Sequence, residues 1–327
     1  MEKTSSRSES MTIGGHFSAF LETRRNNLPG HYCYESARSC LYSVIKASKC
    51  KRIYIPHYIC EAVPAVARAA GCEVFFYSIN NNFEISEDVY LVDSDLILLV
   101  NYFGLCRPQV EKQLGQFRKE SVIVDCSQAY FQAPFDCLAT IYSPRKFLPV
   151  PDGGVVHTSI QLEEHESDEH ASIGRYRYLL ERATEEPELS RTRYLAAEAQ
   201  LEEPSFRRMS AFTKKIIEVT DIEFIRHKRS KNWGFLTELD ASNKLKFEVD
   251  GQIAICYPLM IDNALGLQNE LRKRRIFTPL YWPAVQISNT HEKDLVNNTI
   301  YLPIDHRYGE LHMRMLVDFF KESSVIA

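Results

Sequence analysis

Six short runs of β-branched and aromatic residues recur between residues 52 and 158, and this recurrence limits the fold more than any other feature of the chain. The runs are RIYIP at 52–56, CEVFFYSI at 72–79, LILLVNYF at 96–103, SVIVDCS at 121–127, CLATIYS at 137–143 and GGVVHT at 153–158. Such runs are typical of β-strands. Amphipathic stretches at 61–71, which ends on Gly71 as a glycine C-cap, and at 110–120 predict intervening helices. The alternation predicts an α/β fold with a mostly parallel sheet covered by helices, in which ligands bind at the carboxyl ends of the strands.

The second half of the chain contains a helical region followed by a region of alternating strands and helices. Residues 159–240 are rich in charge, Leu and Arg, and they predict helical connections without strands. The helical runs include 175–186 and 212–239, and strand and helix patterns then alternate at 252–261, 263–275, 299–304 and 312–323. We expect a disordered N-terminus at 1–11, a large α/β domain at 12–225 and a small C-terminal α/β domain at 226–327.

Composition and charge narrow the choice of partners. The 327 residues have a net charge of −4, and Lys and Arg gather in no stripe, so neither nucleic acid nor an anionic membrane is an expected partner. No apolar run approaches the ~20 residues of a membrane span, and the N-terminal MEKTSSRSESM is polar, unlike a signal peptide. The nine cysteines are scattered without a C-x-x-C pair, which indicates reduced thiols. We expect a soluble cytoplasmic protein that binds small molecules.

Asp125 ends the apolar run SVIVD, where a strand passes into a loop. A carboxylate in this position can keep the pyridine nitrogen of pyridoxal 5'-phosphate (PLP) protonated, which makes the ring an electron sink. Gln128, three residues later, is placed to reach the ring oxygen of such a cofactor. Read alone, Asp125 is more typical of a helix cap or a turn, and Gln128 is typical of a loop.

Lys146 follows the strand run at 137–143 in the sequence SPRK, and the tight turn Asp152-Gly153-Gly154 comes soon after it. Free lysine has a pKa of about 10.4, so a lysine that forms a Schiff base must be activated by burial or by neighbouring cations such as Arg145. A lysine in this position is a candidate nucleophile, although an isolated lysine is more often a surface residue.

The segment Ser36-Ala37-Arg38-Ser39 precedes the amphipathic run CLYSVIKA at 40–47. Serine at the start of a helix is typical of an N-cap, and the free N–H groups of the first turn favour an anion. A phosphate group fits such a place, and Arg38 can add a bidentate contact. Most serine-rich helix starts bind only their own backbone.

The order of these motifs resembles the DegT/DnrJ/StrS family of PLP-dependent aminotransferases, which act mainly on nucleotide-linked keto sugars. The motifs are the helix start at 36–39, P-x-Y at 56–58, NYFG at 101–104, D-x-x-Q-A at 125–129, SPRK at 143–146 and DGG at 152–154. The likeness extends more faintly to 226–236 and 300–308. It implies the fold-type I architecture of PLP enzymes, with a large domain and a smaller C-terminal α/β domain.

The resemblance also implies roles for individual residues. Lys146 would bind the cofactor covalently, Asp125 would pair with the pyridine nitrogen, Gln128 would contact the ring oxygen, and 36–39 would lie near the phosphate. The chain departs from the family at several positions. Ser36-Ala37-Arg38 replaces the usual S-G-T, Cys60 stands where an aromatic ring commonly stacks on the cofactor, and the serine before the lysine is displaced to Ser143. Tyr58 or His57 is the candidate substitute for the stacking ring.

By resemblance, the chain is an aminotransferase that uses PLP to move an amino group from an amino acid to a keto sugar, in surface polysaccharide or sugar-derived metabolite synthesis. The family also implies a homodimer. Two alternatives stay open: another PLP reaction such as a dehydration, and a PLP-fold protein without catalysis. The three histidines His157, His165 and His170 match no standard metal-ligand spacing, and we expect no metal site there.

Overall fold

The computed structural model describes residues 26–184, 187–283 and 290–323, so the segment 1–11, predicted to be disordered, lies outside the described residues. The strands are β1 (Tyr32–Tyr34), β2 (Arg52–Pro56), β3 (Glu73–Tyr77), β4 (Asp95–Val100), β5 (Val122–Cys126), β6 (Ala139–Tyr142), β7 (Gly154–Thr158), β8 (Cys256–Met260) and β9 (Thr299–Pro303). The α-helices are α1 (Ala37–Ser48), α2 (Ala62–Ala69), α3 (Arg107–Leu114), α4 (Glu169–Thr184), α5 (Pro187–Ala199), α6 (Ala211–Val219), α7 (Ile222–Leu236), α8 (Ala264–Lys273), α9 (Thr290–Asn297) and α10 (Glu310–Glu322). Within the described ranges, no helix is long and apolar enough to cross a membrane.

Seven strands form one sheet in the order β1-β7-β6-β5-β4-β2-β3. The neighbours from β6 to β3 are parallel, and β7 is antiparallel to both β6 and β1. Strand β1 therefore runs in the same direction as the five parallel strands. The mostly parallel sheet predicted from the sequence is confirmed, and the carboxyl ends of six strands lie at one edge.

The sheet is buried because its strands are almost continuously apolar, as expected of a parallel sheet covered by helices. All six residues of β4, DLILLV, are buried. Helix α1 contacts β1, β6 and β7 through its apolar face, and α2 packs against α1 and β3. Because α1 and α2 follow β1 and β2 directly, both helices begin at the edge of the sheet where the parallel strands end.

Two further strands, β8 and β9, form a separate antiparallel sheet. Helices α7 and α10 contact each other, and α8 and α9 contact β9. This region corresponds to the strand-and-helix pattern predicted after residue 250. The predicted boundary between residues 225 and 226 falls inside α7, and the division into domains remains a prediction.

Some elements differ from the sequence prediction. Strand β1 was not predicted, because it has only three residues and its partners, β7 and Arg208, are distant in the sequence. The helix predicted over 110–120 is α3, which begins earlier and ends at Leu114, where Gly115 favours termination. The run at 212–239 divides at Thr220 and Asp221, because the Asp221 side chain accepts a hydrogen bond from the backbone N–H of Phe224 and starts α7.

Candidate active site

A cavity of about 250 Å³ opens at the edge of the large sheet where the parallel strands end. Its walls come from the loops that follow β1, β2, β5 and β6, together with helices α4 and α5 and Trp282. The side chains that line it include Ser36, Ala37, Arg38, Cys60, Asp125, Ser127, Ser143, Arg145, Lys146, Tyr178, Tyr194, Glu198 and Trp282. Parallel topology brings these loops together, because each connection leaves its strand at the same edge.

Lys146 reaches the cavity from a single 3-10 turn, Pro144–Lys146, that begins directly after β6. Its Nζ donates a hydrogen bond to the Ser127 hydroxyl at 3.1 Å. The side chain is accessible to solvent through the cavity that it lines. Desolvation by the surrounding protein lowers the pKa of Lys146, opposed by the negative charge of Asp125 and reinforced by the positive charge of Arg145.

Asp125 lies next to the last residue of β5 and pairs in register with Ile141 of β6. One carboxylate oxygen, Oδ1, accepts the backbone N–H of Ser127 at 2.7 Å. That bond holds the carboxylate at the strand end, in the lining of the cavity. Asp125 and Lys146 therefore share one cavity, close enough that the carboxylate raises the pKa of the lysine.

The N-terminus of α1 forms another wall. Ser36 is the N-cap, and its hydroxyl accepts the backbone N–H of Ser39 at 3.1 Å. The next two residues, Ala37 and Arg38, lie in the first turn, where helices present N–H groups and partial positive charge. Arg38 is anchored by a hydrogen bond from Nη1 to the backbone oxygen of Leu201 at 3.1 Å. This wall is suited to an anion.

A buried polar network supports the turn after Lys146. Asp152 accepts hydrogen bonds from Arg175 of α4, at 2.9 Å, and from the hydroxyl of Thr213 of α6, at 2.5 Å. The Arg175 and Asp152 side chains are 4% and 1% exposed. Gly153 then donates its N–H to the backbone oxygen of Glu35 at 2.7 Å. The loop that carries the lysine is thus fixed both to the helices and to the start of α1.

Of the residues predicted for the site, six line the cavity: Ser36, Ala37, Arg38, Asp125, Ser143 and Lys146. The other three do not. Gln128 is buried and its Oε1 accepts the backbone N–H of Phe103 at 2.9 Å. The hydroxyl of Ser39 accepts the N–H of Ser205 at 3.1 Å.

Tyr58 is buried behind the cavity wall. Its hydroxyl shares a 2.5 Å hydrogen bond with that of Tyr301, and its ring meets Trp282 edge-on at 4.6 Å. His57, the other candidate for stacking, packs on Phe76 at 5.1 Å between ring centroids. Cys60 lies in the wall at the position where the sequence departs from the family.

Sequence reasoning assigned no site role to several residues of the cavity, namely Ser127, Tyr178, Tyr194, Glu198 and Trp282. Ser127 had a usable signal, since it follows Asp125 by two residues in the same strand-end loop. The two tyrosines and Glu198 lie on α4 and α5, whose periodicity indicates helices but not which neighbouring surface each helix covers.

Two of the three histidines between residues 157 and 170 contact other side chains of the chain. His157 packs on His31 with ring centroids 4.8 Å apart, and His165 shares a 2.8 Å hydrogen bond with Glu163. Across 26–184, 187–283 and 290–323, no group of three His, Cys, Asp or Glu side chains is arranged to hold a metal ion.

Comparison with known proteins was informative only at the level of structure. No protein-family model matches the chain, and no curated protein matches it. Among solved structures, the chain is similar to the sugar aminotransferase CalS13 from Micromonospora echinospora, with 13% identity and a TM-score of 0.62 over 89% of this chain and 86% of that one. It is also similar to PseC of Helicobacter pylori, an aminotransferase involved in the biosynthesis of pseudoaminic acid, with 15% identity and a TM-score of 0.63 over 90% and 87%.

A third structure, NtdA from Bacillus subtilis with bound cofactor PMP, is 13% identical and has a TM-score of 0.63 over 90% of this chain and 73% of that one. The chain has the fold of the fold-type I PLP-dependent aminotransferases. The fold class predicted from the order of strands and motifs is therefore confirmed. At these identities the likeness concerns the fold alone.

Proposed function

We propose that the chain is a PLP-dependent aminotransferase. The observation that carries the proposal is one cavity lined by Lys146, Asp125 and the first turn of α1. PLP presents an aldehyde, a pyridine nitrogen and a phosphate, and the three walls offer an amine, a carboxylate and an anion site. The chemistry of the residues therefore fits the cofactor group by group.

Within this proposal, Lys146 is the residue that bonds covalently to the cofactor. A lowered pKa raises the fraction of neutral, nucleophilic amine at a given pH, which the reaction needs. Asp125 would hold a proton on the pyridine nitrogen through Oδ2, since its Oδ1 already accepts from Ser127. Ser36, Ala37, Arg38 and Ser143 would hold the phosphate.

Bound PLP supplies an electron sink for the carbanion that forms when a substrate loses its α-proton. Lys146 would move that proton, because its Nζ faces the cavity and is kept in place by the hydroxyl of Ser127. Gln128 does not carry the proposal, since the backbone of Phe103 already engages its Oε1.

The finer assignments rest on the sequence resemblance to the DegT/DnrJ/StrS family. They comprise an amino-acid donor, a keto-sugar acceptor, a place in polysaccharide or sugar-metabolite synthesis, a cytoplasmic location and a homodimer. The similar structures CalS13 and PseC support a sugar acceptor by their descriptions as a sugar aminotransferase and an aminotransferase of pseudoaminic acid biosynthesis. Sedimentation that finds only monomers at micromolar concentration would contradict the dimer.

The test compares the purified protein with Lys146→Ala and with the matched control Lys119→Ala, whose side chain is 59% exposed and pairs with Asp136. After incubation with PLP and removal of the excess, the parent and the control should retain a visible chromophore that borohydride fixes to the peptide containing Lys146. The Lys146→Ala variant should lose that covalent adduct.

The outcomes separate the alternatives. No retained chromophore in the parent would favour a PLP-fold protein without catalysis. A chromophore without amine transfer from any amino acid to a keto acid or keto sugar would favour another PLP reaction. Conversion of the chromophore by an amino acid, followed by recovery with a keto sugar, would support the aminotransferase.

A further inference from the structure

Helices α4 and α5 form a hairpin that borders the cavity beside Lys146. Tyr178 of α4 and Tyr194 of α5 line the cavity, and their rings meet edge-on with centroids 5.4 Å apart. An ion pair between Glu181 and Arg193, at 2.7 Å, also joins the two helices. The hairpin therefore presents a defined wall to the site.

One side chain links this wall to the turn that carries the lysine. Arg145 directly precedes Lys146, and its Nη2 donates to a carboxylate oxygen of Glu198 on α5. The side chains of Arg145 and Glu198 are 13% and 26% exposed, and both line the cavity. The Nε atom of Arg145 is buried without a hydrogen-bond partner among the residues that the structure describes.

This arrangement is an anion site that is only partly satisfied. The guanidinium is mostly shielded from solvent, and this burial lowers the pKa of Arg145. A guanidinium binds a carboxylate best through two parallel N–H groups, whereas the contact with Glu198 uses Nη2 and leaves Nε unpaired. An incoming carboxylate that engages Nε as well as Nη2 would satisfy the guanidinium better than Glu198 does.

We propose that Glu198 is a resident carboxylate that occupies the anion site of Arg145 until the α-carboxylate of an amino-acid substrate displaces it. This inference rests on the proposed function. The reacting amine of an α-amino acid is one carbon away from its carboxylate. A carboxylate held by Arg145 therefore places the amine beside Lys146, its neighbour in the same turn.

The other anion available to Arg145 is the cofactor phosphate. The first turn of α1, with Arg38, already provides a phosphate site on a separate wall of the cavity. Arg145 is instead paired with a carboxylate in the structure, and a substrate carboxylate that displaces Glu198 gives the guanidinium a partner of the same chemical kind. These two observations favour the substrate carboxylate.

The experiment uses Arg145→Gln, Glu198→Gln and the matched control Arg191→Gln, which removes a charge from α5 at an exposed residue outside the cavity lining. The first readout is retention of PLP. The second is the apparent KM of amino-acid donors for conversion of the chromophore. The third, independent of activity, is calorimetric binding of glutarate to holoprotein reduced with borohydride, in which the cofactor is fixed and its phosphate site is filled.

Arg145→Gln should weaken glutarate binding and raise the donor KM by roughly tenfold or more, as expected for the loss of a hydrogen bond to a charged group. Glu198→Gln should shift both quantities in the opposite direction, because it removes the competitor. Both variants, and Arg191→Gln, should retain PLP like the parent. Arg145→Lys keeps the positive charge but lacks the paired N–H donors of a guanidinium, so it should also raise the donor KM. This variant tests the inference if Arg145→Gln does not fold.

A rise in donor KM for Glu198→Gln would overturn the inference, since a competitor cannot assist binding. Loss of PLP retention in Arg145→Gln, with parent-like retention in Glu198→Gln, would assign Arg145 to the phosphate and would also overturn the inference. Absence of a chromophore in the parent would reject the proposed function instead, so the two failures are distinguishable.

Discussion

Gly154 offers the sharpest test of how the sheet shapes the site. It begins β7 and pairs with Tyr34 of β1, and the surrounding backbone leaves no room for a side chain at this position. A Cβ atom at this position would lie 2.3 Å from the carbonyl carbon and oxygen of Ser36 and 2.4 Å from the nitrogen of Ala37. Ordinary contact begins at 3.4 Å, so Gly154→Ala would push the start of α1 away by about 1 Å.

The expected cost follows from the atoms involved. Overpacking of a well-packed interior destabilises a protein by about 1–3 kcal/mol, and the upper end applies here because both partners are backbone held by hydrogen bonds. The displaced N–H groups belong to the proposed phosphate site, and a misplacement of about 1 Å in a binding constellation has large effects. We expect a loss of about 3 kcal/mol in the free energy of unfolding, together with a PLP affinity at least roughly tenfold weaker.

Gly234 provides a control with the same chemical change. It lies within α7, and a Cβ atom there would meet nothing within 4 Å. Replacement of an exposed helical glycine by alanine stabilises a helix by about 0.5–1 kcal/mol. Urea denaturation and spectrophotometric PLP titration should therefore show opposite changes in stability for the two variants, with weaker PLP binding only in Gly154→Ala. Parent-like stability and PLP binding in Gly154→Ala would refute the close packing of β7 against α1.

Two further predictions concern buried charges. Arg175→Met would leave Asp152 buried without its cationic partner, so it should lower the free energy of unfolding, measured in urea, by about 3–5 kcal/mol. The double variant with Asp152→Asn should recover part of that loss. An unchanged free energy of unfolding in Arg175→Met would contradict the buried network. The rate of PLP uptake by Lys146 should rise with pH around a midpoint below the value of about 10.4 for free lysine. Because a cation lowers and an anion raises the pKa of an ammonium group, Arg145→Gln should move that midpoint upwards and Asp125→Asn downwards, and identical midpoints would contradict the assignment.

The sequence predicted secondary structure best where buried strands consist of continuous runs of apolar residues. The six predicted strands all form, because strands covered on both faces need apolar residues at nearly every position, as in β4. Strand β1 escaped detection, since three residues carry no periodicity and its pairing with β7 spans more than a hundred residues of chain. The helix break at Asp221 had a local signal, an N-cap residue inside an amphipathic run, that the long periodic pattern obscured.

The candidate site was predictable to the extent that topology determines it. Lys146 and Asp125 meet because they lie at the ends of strands that run in the same direction, and the order of motifs along the chain already implies that. Ser36 joins them because it follows β1, which only the structure reveals. The order of motifs does not predict the direction in which a side chain points from its loop. Gln128 follows Asp125 by three residues, yet the turn at Ser127 directs its Oε1 to the backbone of Phe103.

The sequence by itself determined the class of fold and the candidate lysine, carboxylate and helix start, because these depend on local apolar runs and on the order of strand ends. Only the tertiary structure decided which helix covers the site. The ion pair between Arg145 and Glu198 joins residues 53 positions apart, on a turn and a helix whose packing no local pattern specifies. Helix periodicity identifies an apolar face, and the surface that this face meets depends on the whole fold.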